Sequence, residues 1–149
     1  MITINSTHDF TLKLNKTYPV NKERVFNAWT KSEELEKWWG PEGFTTTIDE
    51  MNVEVNGKYK FNMHAPNGAT HVLTGQYLEI VPSEKLVFTW KWENGKGDFP
   101  STKVTIDFLE IGSSTEIVVT HTELPSKEEA KNHNLGWTSS LESLKANLV

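Results

Sequence analysis

Ser126-Lys-Glu-Glu-Ala-Lys-Asn-His-Asn-Leu-Gly-Trp-Thr-Ser-Ser-Leu-Glu-Ser-Leu-Lys-Ala-Asn-Leu148 is the stretch on which the architecture turns. Its apolar residues Leu135, Trp137, Leu141, Leu144 and Leu148 recur at helical spacing with polar residues between them, so it reads as one long amphipathic helix over 127–148. Ser126 and Glu129 form a capping-box pattern, in which the serine hydroxyl can accept from the glutamate amide and the glutamate can reach back. Gly136 lies inside that helix. Glycine costs about 1 kcal/mol there relative to alanine, which predicts a close approach by another element.

Upstream of this helix the period is two. Tyr59, Phe61 and Met63 alternate with polar residues, as do Leu86, Phe88, Trp90 and Trp92, then Val104, Ile106 and Phe108, then Ile117, Val119 and His121. Asn56-Gly57, Pro66-Asn67-Gly68, Pro82-Ser83-Glu84, Asn94-Gly95-Lys96-Gly97 and Ile111-Gly112-Ser113-Ser114 punctuate these runs as turns. Thr70 to Val81 is a further strand, and Phe44 to Val55 reads as one or two irregular ones. Close, regular turns mean a hairpin-connected antiparallel sheet with one wet face.

At the start, Phe10, Leu12 and Leu14 alternate along a first strand that ends at Pro19. Asn21 can cap a short helix carrying Val25, Phe26 and Trp29. Ser32 can cap a second, with Leu35, Trp38 and Trp39, that stops at Gly40-Pro41. The predicted class is α+β: a strand, two short helices, about six further antiparallel strands and one long C-terminal helix. The dry face of the sheet must be covered, and the last helix is the element large enough to do it. A curved sheet gripping one helix leaves space for a ligand between them.

Composition narrows the function. The chain has 149 residues, about one domain's worth, with no break in composition. Cys is 0, which excludes disulfides, thiolate metal sites and thiol catalysis. Net charge is −5 and Arg24 is the single arginine, so the basic, bidentate surface that nucleic acid demands is missing. No run approaches a membrane span and residues 1–10 lack the pattern of an export signal, so a cytoplasmic setting is expected.

Candidate chemistry is sparse. The histidines are His8, His64, His71, His121 and His133, with no metal-site spacing among them, and no metal or cofactor is expected. The parity of His121 matches Ile117 and Val119, which puts it on the concave face, as a polar anchor, a general base or a strand-end histidine bonded to its surroundings. Glu79, Asp107, Glu110 and Glu123 do not stand out from the other carboxylates, no nucleophile elbow exists, and the glycines at 95 and 97 have no helix behind them to cradle phosphate. No catalytic residue is assigned. Trp 6, Phe 7 and Tyr 3 remain. Such rings either pack as core or wall a cavity for a flat apolar guest.

Four segments together resemble one family: Arg24-Val-Phe-Asn-Ala-Trp-Thr30, Leu35-Glu-Lys-Trp-Trp-Gly-Pro41, Leu86-Val-Phe-Thr-Trp90, and Gly136-Trp137 followed by Leu141 and Leu144. Gly75, Tyr77, Glu79-Ile80, Pro82 and Leu86 fit its middle strands. The pattern resembles the activator of heat-shock-protein-90 ATPase homologues, of the START-like (SRPBCC) superfamily. The resemblance implies the helix-grip fold of the birch-pollen allergen, with six to seven strands in a single domain over 1–149, and an internal hydrophobic cavity as in many relatives. The family's name comes from co-chaperones in which this domain follows a separate N-terminal one, and the superfamily also holds lipid carriers and polyketide cyclases. The leading expectation is non-enzymatic binding of a small hydrophobic or aromatic ligand, lined or gated by Trp39, Tyr59, Phe61, Met63, Phe88, Trp90, Trp92, His121, Trp137 and Leu141. The alternatives are a cyclase or aromatase using His121 with an inward carboxylate or Tyr77, and a chaperone-docking module.

Overall fold

A computed structural model describes residues 2–6, 9–93 and 101–148. The strands are β1 (Ile2–Ser6), β2 (Asp9–Tyr18), β3 (Thr45–Met51), β4 (Lys58–His64), β5 (Thr70–Val81), β6 (Lys85–Trp92), β7 (Thr102–Ile111) and β8 (Ser114–Leu124); the helices are α1 (Lys22–Thr30), α2 (Ser32–Leu35) and α3 (Lys127–Leu148). The strands form one antiparallel sheet in the order β1-β2-β8-β7-β6-β5-β4-β3. This is the helix-grip arrangement, with an eighth strand beyond the expected six to seven. The addition is β1, which pairs with β2 in the register Ile4↔Phe10. Its five residues hold too little alternation to register as a strand in isolation. The turn expected at Asn94–Gly97 and His8 lie outside the described residues.

From β3 to β8 each strand pairs with the next in sequence, whereas α1 and α2 carry the chain from β2 to the opposite edge at β3. That crossing places three tryptophans under the concave face. Asn21 caps α1 through the amide of Arg24 at 2.8 Å. Ser32 does not cap α2: Lys31 holds that position without a side-chain bond and Ser32 is already helical. α2 ends at Leu35, so Trp38 and Trp39 lie in the turn after it rather than on it. The Trp38 indole donates to the Ala28 carbonyl at 2.9 Å, tying that turn back to α1.

Helix α3 has the predicted bounds, and the Glu129 amide donates to Ser126 Oγ at 3.1 Å. Ala130, Trp137, Ser140, Leu141, Leu144 and Leu148 are its buried positions. Leu135, expected to face inward, is 71% exposed, because 100° per residue puts it opposite Trp137. The Tyr18 hydroxyl donates to the Leu141 carbonyl at 2.9 Å and anchors the helix to β2. The closest backbone approaches of α3 are to β2, β8, β1 and α1. Large side chains bridge the remaining distance to β4–β6.

Gly136 does not mark a tight crossing. A Cβ placed there would meet Pro41 Cγ at 3.9 Å, an ordinary contact. Gly136→Ala is therefore expected to stabilise the protein by about 1 kcal/mol through helix propensity alone. Urea unfolding of the two proteins measures this, and a loss of stability would contradict it.

Candidate functional site

The six tryptophans form one connected set of ring contacts. Trp29 meets Trp38 edge-on at 4.7 Å and stacks on Trp137 at 6.0 Å. Trp39 lies 5.8 Å from Trp90 and 5.6 Å from Trp137, while Trp90 lies 5.4 Å from Trp137 and 5.6 Å from Trp92. The rings divide the concave space into two unequal ends.

One end is filled. Tyr59, Phe61 and Phe88 pack with Trp29, Leu35, Trp39, Tyr77 and Leu86 around a void of about 10 Å³, too small for any guest. Burial pushes the Tyr59 and Tyr77 phenols above their ordinary range, so both are neutral. The Tyr59 ring crosses its register partner Gly75 on β5, and its hydroxyl donates to the Thr89 carbonyl on β6. Leu141 is buried in the core against Tyr18.

The other end is open. A pocket of about 250 Å³ lies between residues 129–140 of α3, the 41–44 loop and strands β4–β6. Trp39, Met63, Trp90, Trp92 and Trp137 line it, and so do Pro41, Phe44 and His71. Glu129, Asn132, His133, Gly136 and Ser140 supply the helix side. Of the ten residues expected at a binding site, Trp39, Met63, Trp90, Trp92 and Trp137 line the pocket; Tyr59, Phe61, Phe88, His121 and Leu141 do not. The indole nitrogens of Trp39 and Trp90 are buried without a partner. They have no exposure to the pocket, so the two rings present carbon surface to it.

His121 stands one layer behind the wall, fully buried. An indole can only donate, so Trp137 Nε1–H to His121 Nδ1 at 3.2 Å requires Nδ1 to be bare. The proton then sits on Nε2 and is donated to Thr102 Oγ1 at 2.7 Å, and the Thr102 hydroxyl can donate to the Trp90 carbonyl at 3.3 Å. Both ring nitrogens are used in a neutral imidazole. Burial, then the neighbouring His133, pushes its pKa well down. Loss of hydration likewise pushes His133 down to about 4. The two imidazoles lie 4.7 Å apart, and the Nε2 of His133 is 3.7 Å from the Glu129 carboxylate one turn earlier.

Sequence reading missed His133, Asn132, Ser140 and Phe44. The first and third were findable: on a helix, positions 133 and 140 flank 137 on one face. Phe44 reaches the site only through the path of the loop. Among the described residues no group of three or more His, Asp or Glu is placed to hold a metal ion, and no helix is long and apolar enough to cross a membrane.

A family model described as Activator of Hsp90 ATPase homolog 1-like protein matches residues 19–149. A solved structure from Chromobacterium violaceum is 29% identical, with a TM-score of 0.86 over 93% of this chain and 96% of that one. The AHSA1 protein from Silicibacter pomeroyi is 28% identical, with a TM-score of 0.83 over the same shares of the two chains, 93% and 96%. A protein from Arthrobacter aurescens, 20% identical, shares the fold at a TM-score of 0.85 over 99% of this chain and 90% of that one. No curated protein matches the chain.

Proposed function

Because the chain belongs to the Activator of Hsp90 ATPase homolog 1-like family, with its START-like fold, we propose that it binds a small aromatic or hydrophobic ligand, without transforming it, in the pocket beside α3. The observation that carries this reading is the open end of the tryptophan set. Four indoles and Met63 wall a space of about 250 Å³ with polar groups confined mainly to the helix side. Binding sites commonly combine an apolar wall with a few placed polar groups. The volume suits one or two fused rings rather than a long lipid. Gly136 supports the same reading: its missing side chain faces Pro41 across ordinary contact distance, so the helix forgoes propensity where a side chain would narrow the pocket. A cytoplasmic setting is part of this proposal.

Cyclase-type chemistry is less well supported. His121 has both nitrogens engaged behind the wall, and Tyr77 packs with Tyr59 and Phe88 at the filled end. A chaperone-docking role would use the outer surface, and it leaves the pocket unexplained.

The test is a panel of one- and two-ring aromatic compounds followed by tryptophan fluorescence and thermal unfolding. A ligand at a hundred times its Kd should stabilise the fold by about 2.7 kcal/mol. Gly136→Leu should place its side chain across the mouth and abolish that response while the protein stays folded. No saturable response from any compound, or an undiminished one in Gly136→Leu, would overturn the proposal.

A further inference from the structure

We propose that the guest of this pocket is a flat aromatic amine, its ammonium group held at the Glu129 carboxylate and its ring laid against the tryptophans. This rests on the ligand-binding reading above and names the chemical class. Glu129 is the only carboxylate among the described wall residues, and none of them is lysine or arginine. Its side chain is 39% exposed, and its only ion-pair neighbour among the described residues is His133, at 3.7 Å. His133 cannot neutralise it at physiological pH, because burial holds that imidazole uncharged down to about pH 4. The wall therefore carries one uncompensated negative charge.

The rings point the same way. Trp90 and Trp92 lie 5.5 Å and 6.3 Å from the His133 ring, next to that carboxylate. Indole faces attract a cation within about 6 Å and disfavour an anion. Glu128 shares the first turn of α3 and meets part of the positive charge at that helix end. At long range the net charge of −5 also draws cations. A carboxylate-bearing ligand of the same shape would meet Glu129 and electron-rich ring faces with no lysine or arginine among the described wall residues to receive it.

Calorimetric titration with naphthylethylamine, naphthylpropionate and the uncharged naphthylethanol decides the matter. At pH 8, above the usual histidine range, the amine should bind about tenfold more tightly than the propionate, a factor typical of one screened charge pair. In Glu129→Gln the ratio between the two should fall to within about twofold, and raising salt should shrink it in the wild type. Equal binding of all three, tighter binding of the propionate, or an unchanged ratio in Glu129→Gln overturns the amine assignment and leaves the pocket reading standing. Failure of all three to bind removes the ground for both.

Discussion

Gly75→Ala is expected to cost more than about 3 kcal/mol, at the upper end of overpacking effects, and to leave little folded protein at 37 °C. A Cβ at Gly75 would meet the Thr89 carbonyl and the Tyr59 ring, all well under the 3.0 Å that real Cβ atoms keep. Neither neighbour can yield cheaply. Thr89 O belongs to the β6 backbone, and Tyr59 is buried and held by its hydroxyl to that same carbonyl. The β5–β6 register runs from Thr74↔Lys91 to Tyr77↔Phe88 with no partner pair between them, and there the Gln76 amide donates to Thr89 Oγ1 at 2.9 Å instead. Tyr59 thus takes the carbonyl that the ladder leaves free, and only glycine lets the ring through. Tyr59→Phe tests the other half of the arrangement. It should cost about 1 kcal/mol for the hydrogen bond lost from the half-buried Thr89 carbonyl and leave the fold intact. Urea unfolding measures both, and a loss under about 1 kcal/mol for Gly75→Ala would refute the argument.

Stability should also fall steeply in mild acid. His121 and His133 have folded-state pKa values below the ordinary 6.5. Below that value the unfolded chain binds more protons than the folded one, so stability declines as pH falls. It is complete above 6.5 and is lost for His133 down to about 4. Over that interval, at about 1.4 kcal/mol per pH unit, His133 alone accounts for a loss of about 3 kcal/mol. His121 adds to the loss in the same direction. Solvent screens little of the effect, since the His133 side chain is 10% exposed. The Glu129 carboxylate opposes it, but at 3.7 Å and partly solvated it does not offset the lost hydration. Protonation of His121 at Nδ1 would also place two N–H groups face to face at Trp137, breaking that hydrogen bond while Nε2 still donates to Thr102. Urea midpoints between pH 8 and pH 4 should therefore drop more in the wild type than in His133→Leu. Parallel curves for the two proteins would rule this account out.

Much of the fold was readable residue by residue. The helix over 127–148 has the predicted bounds because a cap and a 3.6-residue repeat are local signals, and β4–β8 follow alternation for the same reason. The differences have separate local causes: β1 is too short to show a period, the chain is already helical at Ser32, and Leu135 is apolar but its helical angle puts it in water. Concave parity was correct for His121, yet parity could not show that Trp137 and Thr102 occupy both its nitrogens.

The question raised by the aromatics, whether they touch or leave room, has different answers at the two ends of one face. Tyr59, Phe61 and Phe88 alternate along their strands as Met63, Trp90 and Trp92 do, and nothing local distinguishes the two sets. By itself the sequence determined most of the inward-facing residues and the order of elements from β2 onward, because these depend on period, caps and turns, while its motifs carried the family resemblance. Only the tertiary structure decided where the space lies. α3 approaches the β1, β2 and β8 side and stands off from β4–β6. Trp29, Trp38 and Trp39 fill one part of that gap, and Gly136, Pro41 and His133 border the part that stays open. A cavity is the difference between a volume enclosed and a volume filled, and both depend on elements far apart in the chain.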